Sequence, residues 1–197
     1  MKVLFLTVSL GAGGTERVIS MLVNDLADMG IDVELATLSS EETDFFRLPK
    51  SVKRHQLGGL KNSSTLVTAL LNNVIRVRSI ACVIRNNKPT HVISFLPQLN
   101  VLTVIGAAGK KCNVIVAERN LRTADNLPGV WQILRRLTYP HAAAVTVNST
   151  EMKFALEGML GRRIEKLDNP LEILNEGGVF SPRERLIISA GRLVSQK

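Results

Sequence analysis

The sequence predicts a doubly wound parallel α/β sheet. Three observations carry that prediction. Strand-like apolar runs alternate with helix-period segments along almost the whole chain. The first strand-like run leads straight into a glycine-rich turn and then a helix. The 197 residues are 45% hydrophobic and 21% charged, a balance that supplies one sizeable core.

Lys2–Val8 is a continuous apolar run, as expected of a strand covered on both faces. Val18, Ile19, Leu22, Leu26 and Met29 recur at helical spacing over Thr15–Met29, and Gly30 stops that helix. Ile31–Leu38 reads as a second strand, Ser39–Leu48 as an acidic polar loop and Val52–Leu57 as a short third strand. The longest helical segment is Asn62–Asn87, with Val67, Leu70, Val74, Val77, Ala81 and Ile84 as its expected buried stripe and Pro89 as its stop. Thr90–Leu96 and Asn113–Ala117 read as strands, with the helix Leu99–Ala108 between them. Beyond the loop Leu121–Pro128 come a helix over Val130–Leu137, a strand over Ala143–Asn148, a helix over Thr150–Leu160 and a last strand over Arg163–Leu167. Asn169–Arg183 is rich in Pro, Gly and Asn without a clear period, which marks a linker. Leu186–Ala190 then reads as a further buried strand followed by Gly191.

Composition narrows the function. Cys82 and Cys112 lie far apart in apolar surroundings, as buried reduced thiols of a cytoplasmic protein do. Three histidines outside any metal-type array point to no metal. The opening segment imitates a signal peptide, but a βα unit runs straight through it, and no uninterrupted apolar run approaches the ~18 residues of a membrane span. A net charge of +8 favours acidic partners. Aromatics are 4% of the chain and no RNP, KH or zinc-finger pattern occurs, which argues against nucleic acid.

Ligands of such sheets gather at the carboxyl ends of the strands. There, Gly11, Gly13 and Gly14 of SLGAGGTERV open the first helix, and its free amides with about half a positive charge suit a phosphate or diphosphate. The dinucleotide pattern G-x-G-x-x-G fails at its third place, where Glu16 stands, and no Walker lysine follows. That weakens an NAD-dependent oxidoreductase or epimerase, which stays open as an alternative. Glu118, Arg119 and Asn120 follow the fifth strand, and Ser94 and Asn100 flank the end of the fourth.

Taken together, Gly13-Gly14-Thr15-Glu16-Arg17, Val147-Asn148-Ser149, Asn169-Pro170 and Gly191-Arg192-Leu193-Val194-Ser195-Gln196-Lys197 resemble motifs of the N-terminal half of the GT-B glycosyltransferases. The likeness is to the large retaining family called group 1 or family 4. The resemblance implies an acceptor-side domain over 1–168, an interdomain linker over 169–184 and the first strand of a donor-binding domain over 185–197, with the rest of that domain absent. It implies a nucleotide-diphosphate sugar as donor substrate, no cofactor, and transfer with retained configuration to a glycan or lipid-linked acceptor in cell-surface polysaccharide, lipopolysaccharide or glycolipid synthesis. Gly13, Gly14, Thr15, Arg192 and Lys197 would hold the donor diphosphate, while Glu118 and Arg119 would be catalytic and Ser94, Asn100 and Asn120 would touch the acceptor. Where many family members carry a His, this chain has Glu118-Arg119-Asn120. By itself the fragment is expected to be inactive.

A peripheral place on an anionic membrane surface is also expected. Arg76, Arg78, Arg85 and Lys88 lie on the long helix, and Arg135 and Arg136 sit beside Trp131, Leu134, Leu137 and Tyr139. A non-catalytic membrane-surface domain is the remaining alternative.

Overall fold

The computed structural model describes residues 1–58, 66–119, 127–161 and 163–171. Seven strands form one parallel sheet: β1 (Lys2–Thr7), β2 (Asp32–Thr37), β3 (Lys53–Gln56), β4 (His91–Phe95), β5 (Asn113–Glu118), β6 (Ala144–Val147) and β7 (Glu165–Lys166). Their order across the sheet is β3-β2-β1-β4-β5-β6-β7. The helices are α1 (Gly14–Asp28), α2 (Leu66–Asn87), α3 (Pro97–Ala107), α4 (Gly129–Thr138) and α5 (Thr150–Leu160). The doubly wound α/β expectation is met, with each of these seven strands within a residue or two of its expected place, while the expected strand Leu186–Ala190 and most of the expected linker lie outside the described residues. Chain order reverses between β1 and β4, so the crevice at their carboxyl ends is the natural ligand position.

Burial on both faces explains the apolar strands. Phe5, Val33, Leu35 and Phe95 pack with Ile19 and Val23 of α1, whereas Leu4, Leu6, Val92 and Val116 pack with Ile80 and Ile84 of α2 and with Val101 and Leu102 of α3. A Cβ added at Gly106 of α3 would stand 3.0 Å from Ile80 Cγ2 and 3.2 Å from the Val77 carbonyl. The bare glycine is what lets α2 cross α3 so closely.

The long helix meets only the C-terminal part of its expected stripe, where Val77 packs against the core and Ile84 is buried. Val67, Leu70 and Val74 are 68%, 67% and 41% exposed, and Leu71 and Ile75 are exposed too. The buried contacts come from Ile80 and Ile84, with Val77 and Val83 packed against the same cluster. A helix apolar on more than one side offers several periods, and the close crossing at Gly106 selects one of them. By length and hydropathy the segment Val67–Asn87 would suffice to cross a membrane, although polar residues interrupt its apolar run. In α1, Val18, Ile19 and Val23 are buried while Met29 is exposed. Cys82 and Cys112 are free and half-buried rather than fully buried, and burial raises the Cys112 thiol.

Candidate functional site at the carboxyl edge of the sheet

The carboxyl ends of the strands divide into three neighbouring parts. The first is the glycine loop. Gly13 is the N-cap of α1 in an extended conformation, with no side-chain cap, and its carbonyl accepts from the Arg17 amide at 3.0 Å. The amides of the first turn have no partner within the helix. A Cβ built on Gly14 meets nothing within 4 Å, so that flank is open. A Cβ on Gly13 would fall 2.1 Å from Glu16 Oε2. Glu16 therefore folds back beside Gly13 at the positive end of the helix, where a dinucleotide fingerprint needs a third glycine.

The second part is a closed polar cluster at the end of β5. Ser94 Oγ donates to Asn100 Oδ1 at 2.7 Å, and Asn100 Nδ2 donates to Tyr139 Oη and to the Ala117 carbonyl, each at 3.1 Å. Tyr139 Oη donates to Glu118 Oε1 at 2.5 Å, and an Arg135 Nη lies 3.1 Å from the same oxygen. All five side chains are buried. Burial pushes the Glu118 carboxyl up while Arg135 and the Tyr139 hydroxyl pull it down, and burial beside Glu118 pushes the Tyr139 phenol well up. The structure thus brings Ser94, Asn100 and Glu118 together, but with their polar atoms turned on one another. Glu118 closes β5 as its last residue, one position beyond the expected strand end, and its side chain is wholly buried.

Two residues placed on a membrane-facing surface by sequence belong here instead. Arg135 and Tyr139 are buried because they serve Glu118. Trp131 and Leu134 pack against the core, leaving Arg136 and Leu137 exposed on α4 together with Val130 and Ile133. Arg119 points elsewhere. Its guanidinium donates to the Leu167 carbonyl at 3.1 Å and to Asn169 Oδ1 at 3.2 Å, and lies 5.8 Å from the Phe95 ring centroid. It ties the end of β5 to the segment leaving β7. Asn120, Arg192 and Lys197 lie outside the described residues.

The third part is a hollow of about 360 Å³ over the ends of β1, β2 and β4. Val8, Leu38, Leu96, Leu99 and Leu102 supply aliphatic walls, Trp131 an aromatic one, and Asn73, Arg76 and Gln98 the polar groups. Leu96 sits at φ 77 and ψ 135, a conformation that costs a branched residue about 1–3 kcal/mol. Such strain gathers at functional sites. Asn73 and Gln98 escaped the sequence reading, and Arg76 was expected at a membrane surface rather than in this hollow; the signal available was Pro97, which starts α3 and turns the chain sharply at the strand end. Among the described residues no group of three or more His, Cys, Asp or Glu is placed to hold a metal ion.

With this geometry in place, residues 13–168 match the model of the glycosyl transferase 4-like domain. The chain belongs to that family. A similar curated protein is GalNAc-alpha-(1->4)-GalNAc-alpha-(1->3)-diNAcBac-PP-undecaprenol alpha-1,4-N-acetyl-D-galactosaminyltransferase of Campylobacter jejuni, 27% identical over 199 residues. The match takes in all of this chain and 54% of that protein, so the chain spans about half the relative's length. Among solved structures, the lipopolysaccharide outer core galactosyltransferase WaaB superposes with a TM-score of 0.69 at 17% identity, over 89% of this chain and 47% of that one. Anabaena Alr3699/HepE in complex with UDP and glucose gives 0.64 at 15% identity, over 88% and 45%. These likenesses establish the Rossmann-like half of the GT-B fold, the expected architecture.

Proposed function

We propose that this glycosyl transferase 4-like domain is the acceptor side of an enzyme that moves one sugar, a hexose or N-acetylhexosamine, from a nucleotide-diphosphate donor to a lipid-linked glycan. The observation that carries the reading is the switch-point edge, where an open glycine loop at a helix N-terminus adjoins a hollow with mixed apolar and polar walls. The lipid-linked acceptor follows from the C. jejuni relative, whose name specifies an undecaprenol-pyrophosphate glycan.

In this reading the amides of Gly14 and Thr15 face the donor diphosphate and stabilise the charge that grows on it as the glycosidic bond breaks. Arg192 and Lys197 supply further cations, no metal or other cofactor is needed, and Asn120 meets the acceptor. Glu118, Ser94 and Asn100 support transfer by fixing the end of β5, while Arg119 holds Leu167 and Asn169 against that end. The test is Gly14→Val in the protein that carries this domain. Because the added side chain enters open space at an ordinary backbone conformation, the fold and its melting temperature should be unchanged. That side chain would keep the diphosphate from the amides of the helix start, so transfer should fall by about 10²–10³, the size of effect seen when a preorganised donor can no longer reach the developing charge. Unchanged turnover would remove the loop from the mechanism.

The outward faces of α2 and α4 supply the partner that a lipid-linked substrate requires. Val67, Leu70, Leu71, Val74 and Ile75 on α2, and Val130, Ile133 and Leu137 on α4, are large, apolar and exposed. Arg78, Arg85, Lys88 and Arg136 are exposed on the same two helices or at their ends. Apolar and cationic groups together suit an anionic bilayer at the cytoplasmic face, on which α2 lies flat, since Ile80 and Ile84 anchor it to the sheet. Vesicle flotation checks this. Recovery should be higher on anionic than on neutral vesicles and should be lost in Leu70→Asp/Ile133→Asp; equal recovery on both, or no effect of the variant, would contradict it.

A further inference from the structure

We propose that the hollow over β1, β2 and β4 is a pyranose-binding subsite, with Trp131 as the stacking platform and Asn73 and Gln98 as its hydrogen-bonding amides. This rests on the glycosyltransferase reading above and gives the acceptor's sugar a place.

The chemistry of the walls selects the guest. One face of a pyranose is a patch of C–H bonds while its rim carries hydroxyls that both donate and accept. The hollow is matched in kind: Val8, Leu38, Leu96, Leu99 and Leu102 and the indole of Trp131 are apolar, and the amide side chains of Asn73 and Gln98 offer donors and acceptors. Arg76 Nη1 donates to Asn73 Oδ1 at 3.1 Å, which fixes that amide and leaves its NH₂ group to meet a ligand oxygen. A bare prenyl chain would strip water from both amides and the guanidinium and give nothing back. A bare phosphate has no use for five aliphatic walls and an indole. A neutral sugar satisfies both kinds of wall, and about 360 Å³ accommodates one ring with its bridging waters.

Position supports the assignment. Val8 is the last wall residue before the glycine loop, so the hollow adjoins the strand end from which the proposed donor loop leaves. On the other side, Asn73 and Arg76 stand beside the exposed apolar residues Leu70 and Val74 of α2. A lipid-linked sugar then has its ring in the hollow and its lipid on the helix face. The strained Leu96, which forms one wall, keeps the hollow open where an ordinary conformation would redirect the turn into α3.

Trp131 is the single tryptophan of the chain, so intrinsic tryptophan emission reports this cavity alone. The 197-residue chain is titrated with the methyl glycosides of N-acetylgalactosamine, galactose and glucose, and separately with farnesyl phosphate and inorganic phosphate. A saturable change with at least one glycoside in the millimolar range, weakened about three- to tenfold by Asn73→Ala and by Gln98→Ala, is the expected result. Trp131→Phe preserves packing, and saturation-transfer NMR should show the same glycoside bound more weakly to it. A response to farnesyl phosphate or inorganic phosphate alone, no response to any glycoside, or a response in both amide variants as strong as in the native chain would overturn the assignment. In the protein that carries the domain, the amide variants should raise the acceptor KM and leave the donor KM unchanged. Normal transfer with an unaltered acceptor KM would sink this subsite and spare the glycosyltransferase reading, whereas glycoside binding without consumption of any nucleotide sugar would do the reverse.

Discussion

The end of β5 and the ends of β1, β2 and β4 belong to one sheet edge, yet they are finished in opposite ways. At β5 the residues that look reactive in the sequence, Glu118, Ser94 and Asn100, are buried with Tyr139 and Arg135 in a chain of mutual hydrogen bonds. On the neighbouring strands a hollow is left open, walled by residues that read as strand ends, such as Val8 and Leu38, and by Trp131, which read as a membrane-facing aromatic. The difference teaches that polarity in a strand-end loop does not by itself mark the site. Buried carboxylates need partners, and meeting that need fixes a strand end; a site needs space, and space is a property of packing.

The contrast breaks first, and most visibly, at Glu118. Removing its carboxylate in Glu118→Ala leaves the buried Arg135 without its counter-charge, so the account expects a loss of about 3–5 kcal/mol in urea unfolding. A loss below about 1 kcal/mol would mean that the cluster does not hold the β5 end. Next comes Gly106→Val, which drives a side chain into Ile80 and the Val77 carbonyl and should cost about 1–3 kcal/mol, with the α2 wall of the hollow displaced. Fluorescence of Trp131 in that variant checks whether the hollow feels the shift.

A pH profile sharpens the same comparison at the other end of the sheet. Glu34 is buried in β2; burial raises its carboxyl, but hydrogen bonds from Lys2 at 2.7 Å and His55 at 2.7 Å outweigh that and hold it below the ordinary carboxylate value. A depressed folded value means that the stabilisation is present above the unfolded value of ~4.3 and is lost as pH falls through the lower, folded value. The stability gap between the native chain and Glu34→Gln should therefore be full near neutrality and close under acid; a gap independent of pH would contradict it. The smallest effect belongs to the exposed face of α2, where Leu70→Asn should change unfolding free energy by less than about 0.5 kcal/mol, because Leu70 covers no core.

Much of this architecture was legible in residue order. Continuous apolar strands, helix-period segments and the glycine turn after β1 are local signals, and they placed all seven strands. The stripe of α2 was legible only in part: Val77 and Ile84 meet the core as expected, but Val67, Leu70 and Val74 satisfy the same period and stay exposed, while the Gly106 crossing brings Ile80 inward. Nor were the partners of Glu118: Arg135 and Tyr139 stand one turn apart at the end of α4, Asn100, which binds Tyr139, comes from α3, and nothing in their distance along the chain from Glu118 records the meeting. The glycine loop was read as an anion site from its composition, while the hollow beside it needed the fold to exist at all.

The most direct test of the central claim is the mass of a lipid-pyrophosphate-linked glycan after incubation with nucleotide-diphosphate sugars and the protein that carries this domain. The account predicts the gain of one sugar residue with the native chain and no gain with Gly14→Val. An acceptor unchanged in mass with every donor, or one extended equally well by the Gly14→Val protein, would contradict it.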